Sequence, residues 1–264
     1  MSVYDKEKAR LSFDRAAPRY DQSAHLQRHV AEHLIAIEAE QVRLATTILD
    51  AGCGTGQVTE AMCVRYPKSN VVALDFSRQM LVQAQKRLQA KGLDAHMVCA
   101  DAEVLPFSHN TFDLITSSLM LQWSNNLTAT LQGMREVLAA QGTLIFSTLV
   151  EGTLREVKQS WRAVDEAVHT SEFMSPSLLQ QHVEAAGFSQ VDIRYETIVM
   201  EYASAREMVM EMKQIGASNA HKDRARGLTG KQRFQAFERA FEVHRLASGQ
   251  YPCTWKLAYI VCEK

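Results

Sequence analysis

The sequence predicts a doubly wound α/β fold built around a mostly parallel sheet. The first 150 residues contain short apolar runs, amphipathic segments between them, and a glycine-rich turn directly after the first run. Short runs rich in β-branched residues and bounded by turn formers are typical of strands buried on both faces. Their alternation with helical segments indicates parallel strands covered by helices. The predicted strands are 47–50, 70–75, 97–101, 112–117 and 143–147.

Helical periodicity fills the connections between these runs. Ser77 is a suitable N-cap for a helix in which apolar residues recur up to Leu88. A second amphipathic segment runs over 127–138, and Gly142 suits its C-terminus. Further helices are predicted over 153–168 and 176–186.

The pattern changes after residue 150. Strands are predicted over 191–200 and 254–262, and the roughly fifty residues between them are polar, basic and helical in character. We interpret the two strands as an antiparallel hairpin at the sheet edge with a helical cap insertion between them. The predicted organisation is a helical lid segment over 1–45, a ligand-binding core over 46–200, the cap insertion over 201–250 and a last core strand over 251–264.

Composition limits the class of protein. The chain has 264 residues, 46% of them hydrophobic and 22% charged, with a net charge of -1. This is ordinary for a globular protein and gives no overall reason to expect nucleic acid or a membrane as partner. Five cysteines, none in a Cys-x-x-Cys pair, favour a reducing compartment. With no signal-peptide-like start and no bilayer-length apolar run, the expected location is cytoplasmic.

No metal is expected. No short cluster of cysteines and histidines has zinc-ligand spacing. His25, His29 and His33 follow one another at helical spacing, but no carboxylate joins them with ligand spacing in the sequence. We therefore interpret them as surface histidines of a helix.

The strongest ligand signal is the turn Asp50-Ala51-Gly52-Cys53-Gly54-Thr55-Gly56. Glycines at alternate positions let the backbone turn sharply and approach a ligand, because no Cβ obstructs it. The following helix would direct its N-terminus at that ligand. A dinucleotide site is the competing interpretation, but its fingerprint needs a third glycine one residue further along.

Two more acids end the next two predicted strands. Asp75 is placed to accept hydrogen bonds from both hydroxyls of a ribose, and Asp101 to accept one from an adenine amino group. Open α/β sheets bind ligands at the carboxyl ends of their strands, where these acids and Asp50 would meet. Alternatively, each aspartate caps only the turn or helix that follows it.

These motifs, in the order DAGCGTG, ALDFS, ADAEVLPF and FDLI, resemble the class I S-adenosylmethionine (AdoMet)-dependent methyltransferases, which have a Rossmann-like fold. The resemblance implies that the three glycines line the methionine part of AdoMet, that Asp75 holds the ribose, and that Asp101 and Ala102 face the adenine. Phe76 and Met80 would pack on the adenine, although ordinary core packing explains them equally well. The full set of expected cofactor residues is Asp50, Gly52, Gly54, Gly56, Asp75, Phe76, Met80, Asp101, Ala102 and Leu119.

Three other segments are similar to a narrower family, the malonyl-acyl-carrier-protein O-methyltransferases of biotin synthesis. They are SFDRAAPRYD at 12–21, SSLMLQW at 117–123 and KQIGAS at 213–218. The resemblance implies methylation of the free carboxyl of a malonyl thioester on acyl carrier protein or coenzyme A. The expected substrate-binding residues are Tyr20, Gln122, Trp123 and Lys213, with Tyr20 and Lys213 positioning the substrate. A carboxylate is already ionised at neutral pH, so no general base is needed.

A local excess of positive charge agrees with an acidic protein partner. Between Lys213 and Arg245, eight basic residues face three acidic ones, a local charge of +5 in a chain of net charge -1. A helix over 230–247 would bury its phenylalanines and leave its basic residues outside. The expected docking residues are Lys222, Arg224, Arg226, Lys231, Arg233 and Arg239. A solvated helix face without any partner is the simpler alternative, and no nucleic-acid recognition module accompanies the charge.

Three other functions remain open at this point. The acceptor could be a free small molecule, such as a dicarboxylic acid or a quinone precursor. The protein could bind AdoMet without catalysis, because a cofactor site does not guarantee a productive acceptor pocket. A dinucleotide-dependent oxidoreductase fits the glycine pattern least well.

Overall fold

A single seven-stranded sheet organises the chain, whose computed structural model describes residues 4–215 and 230–264. The strands are β1 Thr47–Ala51, β2 Asn70–Asp75, β3 His96–Cys99, β4 Phe112–Ser118, β5 Leu138–Leu149, β6 Gln190–Tyr202 and β7 Tyr251–Glu263. Their spatial order is β3-β2-β1-β4-β5-β7-β6. The first five are parallel, whereas β7 runs antiparallel to both β5 and β6. This confirms the predicted mostly parallel sheet with an antiparallel hairpin at one edge.

Helices precede, connect and cover the strands. In the described residues they are α1 Lys6–Ala16, α2 Tyr20–Ser23, α3 His25–Gln41, α4 Gln57–Arg65, α5 Arg78–Gln89, α6 Leu127–Val137, α7 Arg155–Arg162, α8 Pro176–Ala185, α9 Ala205–Gln214 and α10 Lys231–Phe241. Short polar side chains begin several of them: the Ser77 hydroxyl accepts from the Met80 amide at the start of α5, and Asn126 accepts from Ala129 in α6. In the described residues, no helix is long and apolar enough to cross a membrane.

The two faces of the sheet are both buried, as a doubly wound fold requires. Ile48 and Leu49 are neighbours in β1, fully buried, and belong to two different hydrophobic clusters. Because successive side chains of a strand point to opposite faces, these clusters lie on opposite sides of the sheet. The loops after the parallel strands are therefore supported by two cores.

Several predicted boundaries are wrong. Gly142 does not end a helix: α6 stops at Val137 and Gly142 lies inside β5, where an added Cβ would come within 2.9 Å of the Phe112 carbonyl oxygen. The helix predicted over 153–168 ends at Arg162, and that over 230–247 ends at Phe241. β3 ends at Cys99, so Asp101 lies two residues beyond the strand.

The N-terminal segment of α1, α2 and α3 is joined to the loops of the sheet by polar contacts. Asp14 accepts from the Ser77 hydroxyl at 2.7 Å. Asp21 accepts from the Thr55 hydroxyl and from Arg87, both at 2.6 Å. These contacts place the segment over the carboxyl ends of β1 and β2, where the glycine-rich turn lies.

Candidate functional site

The glycine-rich turn leaves open space at only one of its three glycines. All three have positive φ, of 76° at Gly52, 54° at Gly54 and 84° at Gly56. A Cβ at Gly52 would lie 2.3 Å from Met120 Cγ, and one at Gly56 would lie 2.8 Å from Ala84 Cβ. A Cβ at Gly54 would meet nothing within 4 Å. Packing therefore requires Gly52 and Gly56, whereas Gly54 keeps a crevice free for a ligand.

Two buried aspartates support this turn. Asp75 accepts hydrogen bonds from the backbone amides of Gly54 at 3.0 Å and Ser77 at 2.8 Å. Asp50 lies beneath the turn and accepts from the hydroxyls of Thr59 at 2.6 Å and Thr116 at 3.3 Å. Burial, only partly offset by these hydrogen bonds, raises the pKa of each carboxyl to about 6. Asp75 reaches the crevice, and Asp50 ties the start of the turn to α4 and β4.

The crevice is part of a cavity of about 800 Å³, some of it open to solvent. Ten of the residues expected at the site line it: Tyr20, Gly52, Gly54, Asp75, Phe76, Met80, Asp101, Ala102, Leu119 and Trp123. Of the expected cofactor residues, Asp50 and Gly56 do not line it. The fold thus brings the ends of three neighbouring strands to one cavity, as the sequence predicted.

Asp101 has a partner that the sequence did not suggest. The Lys6 ammonium lies 2.5 Å from Asp101 Oδ2 and 2.8 Å from Glu103 Oε2. The other Asp101 oxygen accepts from the Glu103 backbone amide at 3.0 Å. Lys6 also lines the cavity, so the N-terminal segment supplies a cation beside the acids at its far end.

Aromatic side chains of the N-terminal segment form one wall of this cavity. Phe13 packs edge-on against Trp123, with ring centroids 5.5 Å apart, and lies 6.0 Å from Phe76. Burial and the nearby charges of Asp75 and Asp21 raise the pKa of Tyr20 far above its ordinary value. Tyr20 therefore keeps its proton and can act only as a hydroxyl donor or acceptor.

A second cavity of about 820 Å³ lies against the first. Five residues line both: Tyr4, Phe13, Tyr20, Leu119 and Trp123. Leu119 has φ 48°, an uncommon conformation for a residue with a side chain. It follows directly on β4, so a strained residue separates the two cavities.

The second cavity is largely apolar but carries buried polar atoms without partners. Gln27 Oε1, Gln122 Oε1 and Trp255 Nε1 are all buried and make no hydrogen bond in the described structure. All three residues line this cavity. A buried polar atom without a partner is costly, and these three belong to residues around one cavity.

His169 also lines the second cavity and is held by two contacts. Its ring stacks on Trp161 with centroids 3.7 Å apart, and its Nε2 lies 2.7 Å from Asp165 Oδ1. Asp165 in turn pairs with Arg233 of α10, 2.5 Å from Nη2. Burial opposes ionisation of Asp165, but its hydrogen bonds with His169, Ala167 and Arg233 lower its pKa.

Comparison with known proteins identifies the fold and the family. A family profile described as "Methyltransferase domain" matches residues 48–142. A malonyl-[acyl-carrier protein] O-methyltransferase from Laribacter hongkongensis is 36% identical over 97% of this chain and 88% of its own length. The chain belongs to the malonyl-[acyl-carrier protein] O-methyltransferase family. It is therefore a methyltransferase, and the predicted resemblance is confirmed.

Other relatives of this methyltransferase support the assignment. The bifunctional biotin biosynthesis protein BioHC of Cellvibrio japonicus is 38% identical over 100% of this chain, which spans 51% of that protein. Among solved structures, the YcgJ protein of Bacillus subtilis matches with a TM-score of 0.62, covering 88% of this chain and 98% of its own, at 17% identity. At that identity the likeness shows the fold alone.

The substrate-side predictions for this methyltransferase have different outcomes. Gln122 and Trp123 line the second cavity, as does Tyr20. Lys213 is exposed in the last turn of α9 and lines neither cavity, although its neighbours Met212 and Ile215 line the second one. The structure therefore does not bring Lys213 to the site. Sequence reasoning did not place Gln27, His169 or Trp255 at the site, although Gln27 lies in the stretch Leu26-Gln27-Arg28 just behind the first family-like segment. No local motif marks the other two.

The basic face is partly described. Lys231, Arg233 and Arg239 are exposed on α10, while Phe237 and Phe241 are buried beneath them. Lys222, Arg224 and Arg226 lie outside the described residues. Arg233 differs from the other two because it already holds Asp165. Of the described basic residues on α10, Lys231 and Arg239 are the better docking candidates.

Proposed function

We propose that this methyltransferase transfers a methyl group from AdoMet to the free carboxylate of a malonyl thioester carried by acyl carrier protein. The observation that carries the proposal is the pair of adjoining cavities with a shared wall. One has acids and glycines suited to a nucleoside, and the other has unpartnered polar atoms suited to a polar acceptor. The acceptor is that of the related malonyl-[acyl-carrier protein] O-methyltransferases, and the transferred methyl carbon would lie near Leu119 and Tyr20.

The first cavity has carboxylates and open space that suit AdoMet. The open space at Gly54 admits a ligand against the backbone, and the Asp75 carboxylate accepts from the ribose hydroxyls. Asp101 and Ala102 face the adenine, whose faces Phe76 and Met80 contact. When bound, AdoMet supplies an electrophilic methyl group on a sulfonium.

The protein's task at the second cavity is to position the acceptor. Malonate carboxyls have pKa values near 4, so the attacking oxygen is already ionised at neutral pH. The new O–C bond forms as the C–S bond breaks and its electron pair returns to sulfur, so no proton moves. Trp255 Nε1–H and the protonated Tyr20 hydroxyl can donate to the carboxylate and orient it, and the apolar wall excludes water.

Methyl transfer to three acceptors tests the proposal. Malonyl-acyl carrier protein, malonyl-coenzyme A and free malonate are each incubated with AdoMet, and S-adenosylhomocysteine and methyl ester are measured. We expect the highest kcat/KM with the carrier-protein substrate. Preferential methylation of free malonate would favour a small-molecule acceptor instead. AdoMet binding with no methyl transfer to any of the three would favour a non-catalytic role.

The affinity for AdoMet is expected to depend on pH through Asp75. Burial raises the pKa of this carboxyl to about 6, and only its ionised form accepts from both ribose hydroxyls. Protonation at low pH therefore competes with binding. We expect a constant dissociation constant above pH 7 and one about tenfold higher at pH 5, where roughly one carboxyl in ten is ionised. Calorimetric titration across pH 5–8 measures it, and a flat profile would contradict this role.

Trp255→Phe tests the acceptor cavity by removing one donor while keeping an aromatic ring. We expect KM for malonyl-acyl carrier protein to rise about tenfold, because the variant loses one hydrogen bond to a charged group. The affinity for AdoMet should not change. Trp161→Phe is the matched control, because Trp161 is buried nearby but does not line the cavity. Equal KM values for the two variants would show that the Trp255 N–H does not meet the acceptor.

Charge reversal on α10 tests carrier-protein docking. In the double variant Lys231→Glu/Arg239→Glu, we expect kcat/KM with the carrier-protein substrate to fall about tenfold at low salt, because like charges repel an acidic partner. Salt should reduce the difference by screening. The control Arg43→Glu/Lys68→Glu changes two exposed basic residues outside α10 by the same charge. Docking on α10 is excluded if both double variants react at the wild-type rate.

A further inference from the structure

A cluster of two histidines and a glutamate joins α3 to the edge strand β6. His29 and His33 lie one turn apart on α3, and Glu196 lies in β6. His29 Nε2 is 3.1 Å from Glu196 Oε1, and His33 Nδ1 is 3.2 Å from Glu196 Oε2. No carboxylate joins these histidines at ligand spacing in the sequence, but the fold supplies one from a residue more than 160 positions away.

We propose that His29, His33 and Glu196 bind a divalent zinc-type metal ion. Two imidazoles and one carboxylate are a donor set that Zn²⁺ prefers, whereas Mg²⁺ and Ca²⁺ prefer oxygen ligands alone. The three ligand atoms all lie within 4.8 Å of one another. Bonds of about 2.0 Å to a tetrahedral ion place two ligand atoms roughly 3.3 Å apart, close to both histidine–glutamate distances.

The surroundings of the cluster hold its side chains in place. The Tyr259 hydroxyl donates to Glu196 Oε2 at 2.8 Å, and the Tyr259 ring packs 4.5 Å from the His33 ring. Such contacts to a ligating carboxylate orient it for a metal. Arg194, two residues before Glu196 in β6, is engaged by Asp192 and Glu40. The histidine side chains are 52% and 42% exposed, so an ion can reach them from solvent.

A bound ion would act on the wall of the second cavity. Leu26 and Gln27, in the first turn of α3, line that cavity, and His29 lies two residues after Gln27. The hydrogen bonds of His29 and His33 with Glu196 join this part of α3 to β6. Coordination would replace them with stronger bonds and fix the start of α3 against the sheet edge.

Titration of tag-free full-length protein with ZnCl₂ tests the site. The Cys99→Ser background removes an exposed thiol that could bind the ion. We expect one saturable site, with affinity reduced at least tenfold by His29→Ala, His33→Ala or Glu196→Gln. His25→Ala is the matched control, because His25 is an exposed histidine of the same helix. Visible absorption of a Co²⁺ complex should appear in the parent protein and be lost in His29→Ala.

Zn²⁺ should raise the melting temperature of the parent protein and of His25→Ala, and raise it less in the three ligand variants. MgCl₂ should not raise the melting temperature of any of them. The proposal is overturned if His29→Ala binds Zn²⁺ as tightly as the parent protein. It is also overturned if His25→Ala loses as much affinity, or if no saturable binding occurs. None of these measurements depends on methyl transfer.

Discussion

The variant Asp75→Asn is expected to bind AdoMet about a hundredfold more weakly than the wild type. The carboxylate already accepts two backbone amides, from Gly54 and Ser77, and would accept two ribose hydroxyls as well. An amide offers one oxygen in place of two and directs an N–H₂ donor at other donors. Hydrogen bonds to charged groups contribute about 1.5–3 kcal/mol each, so losing the equivalent of two costs about 3 kcal/mol. Calorimetric titration with AdoMet measures the loss.

Folding should not confound this result. Burial raises the pKa of Asp75 to about 6, which means that the folded chain holds an ionised carboxylate at a cost. A neutral amide of the same shape avoids that cost but leaves one of the two backbone amides facing an N–H₂ group, so the two effects oppose each other and we expect only a small change in melting temperature. Asp192→Asn, at an exposed position of β6, is the control for the substitution itself. If Asp75→Asn binds AdoMet with wild-type affinity, the proposed role of Asp75 as the central residue of the cofactor site is wrong.

The variant Gly54→Ala is expected to raise the dissociation constant for AdoMet at least tenfold. The new Cβ meets no protein atom within 4 Å, so it projects into the open crevice where the ligand approaches the backbone. At φ 54° a side chain also strains the fold by about 1–2 kcal/mol. Melting temperature and AdoMet affinity therefore need to be measured together.

Gly92→Ala separates these two effects. Gly92 has φ 66°, and its added Cβ likewise meets nothing within 4 Å, but it lines neither cavity. Both variants should lose similar stability, and only Gly54→Ala should lose AdoMet affinity. Equal affinities would mean that the space at Gly54 is not used by the cofactor.

The sheet and the cofactor side could be predicted because their signals are local. Each parallel strand is a short apolar run, and each ligand residue follows its own strand closely, as Asp75 follows Ala73 and Leu74 in β2. Once the strands are placed in parallel, their carboxyl ends lie along the same edge of the sheet. Only the order of the strands was needed to gather Gly54, Asp75 and Asp101.

The acceptor side could not be predicted in this way. Gln27 comes from α3, His169 from the irregular segment after α7, and Trp255 from β7. No spacing in the sequence links residues so far apart, and only tertiary packing makes them neighbours. The same reason explains why Glu196 was not connected with His29 and His33.

The wrong boundaries have local causes. The start of β5, with alanine and glycine, has low strand propensity, but pairing with β4 makes it a strand. After Arg162, Asp165 accepts from the Ala167 backbone amide at 2.9 Å, a side-chain contact that favours a turn over a continuing helix. Tertiary contacts and polar side chains thus override the apolar periodicity at both places.

The shared wall between the cavities restricts how acceptor choice can change. A substitution at Phe13, Tyr20 or Trp123 that admits a new acceptor also alters the surface offered to the methyl donor. Phe173, Met212 and Ile215 line only the acceptor cavity. Substitutions at those three positions can therefore change which acid is accepted, in engineering or in evolution, with the least effect on the affinity for the methyl donor.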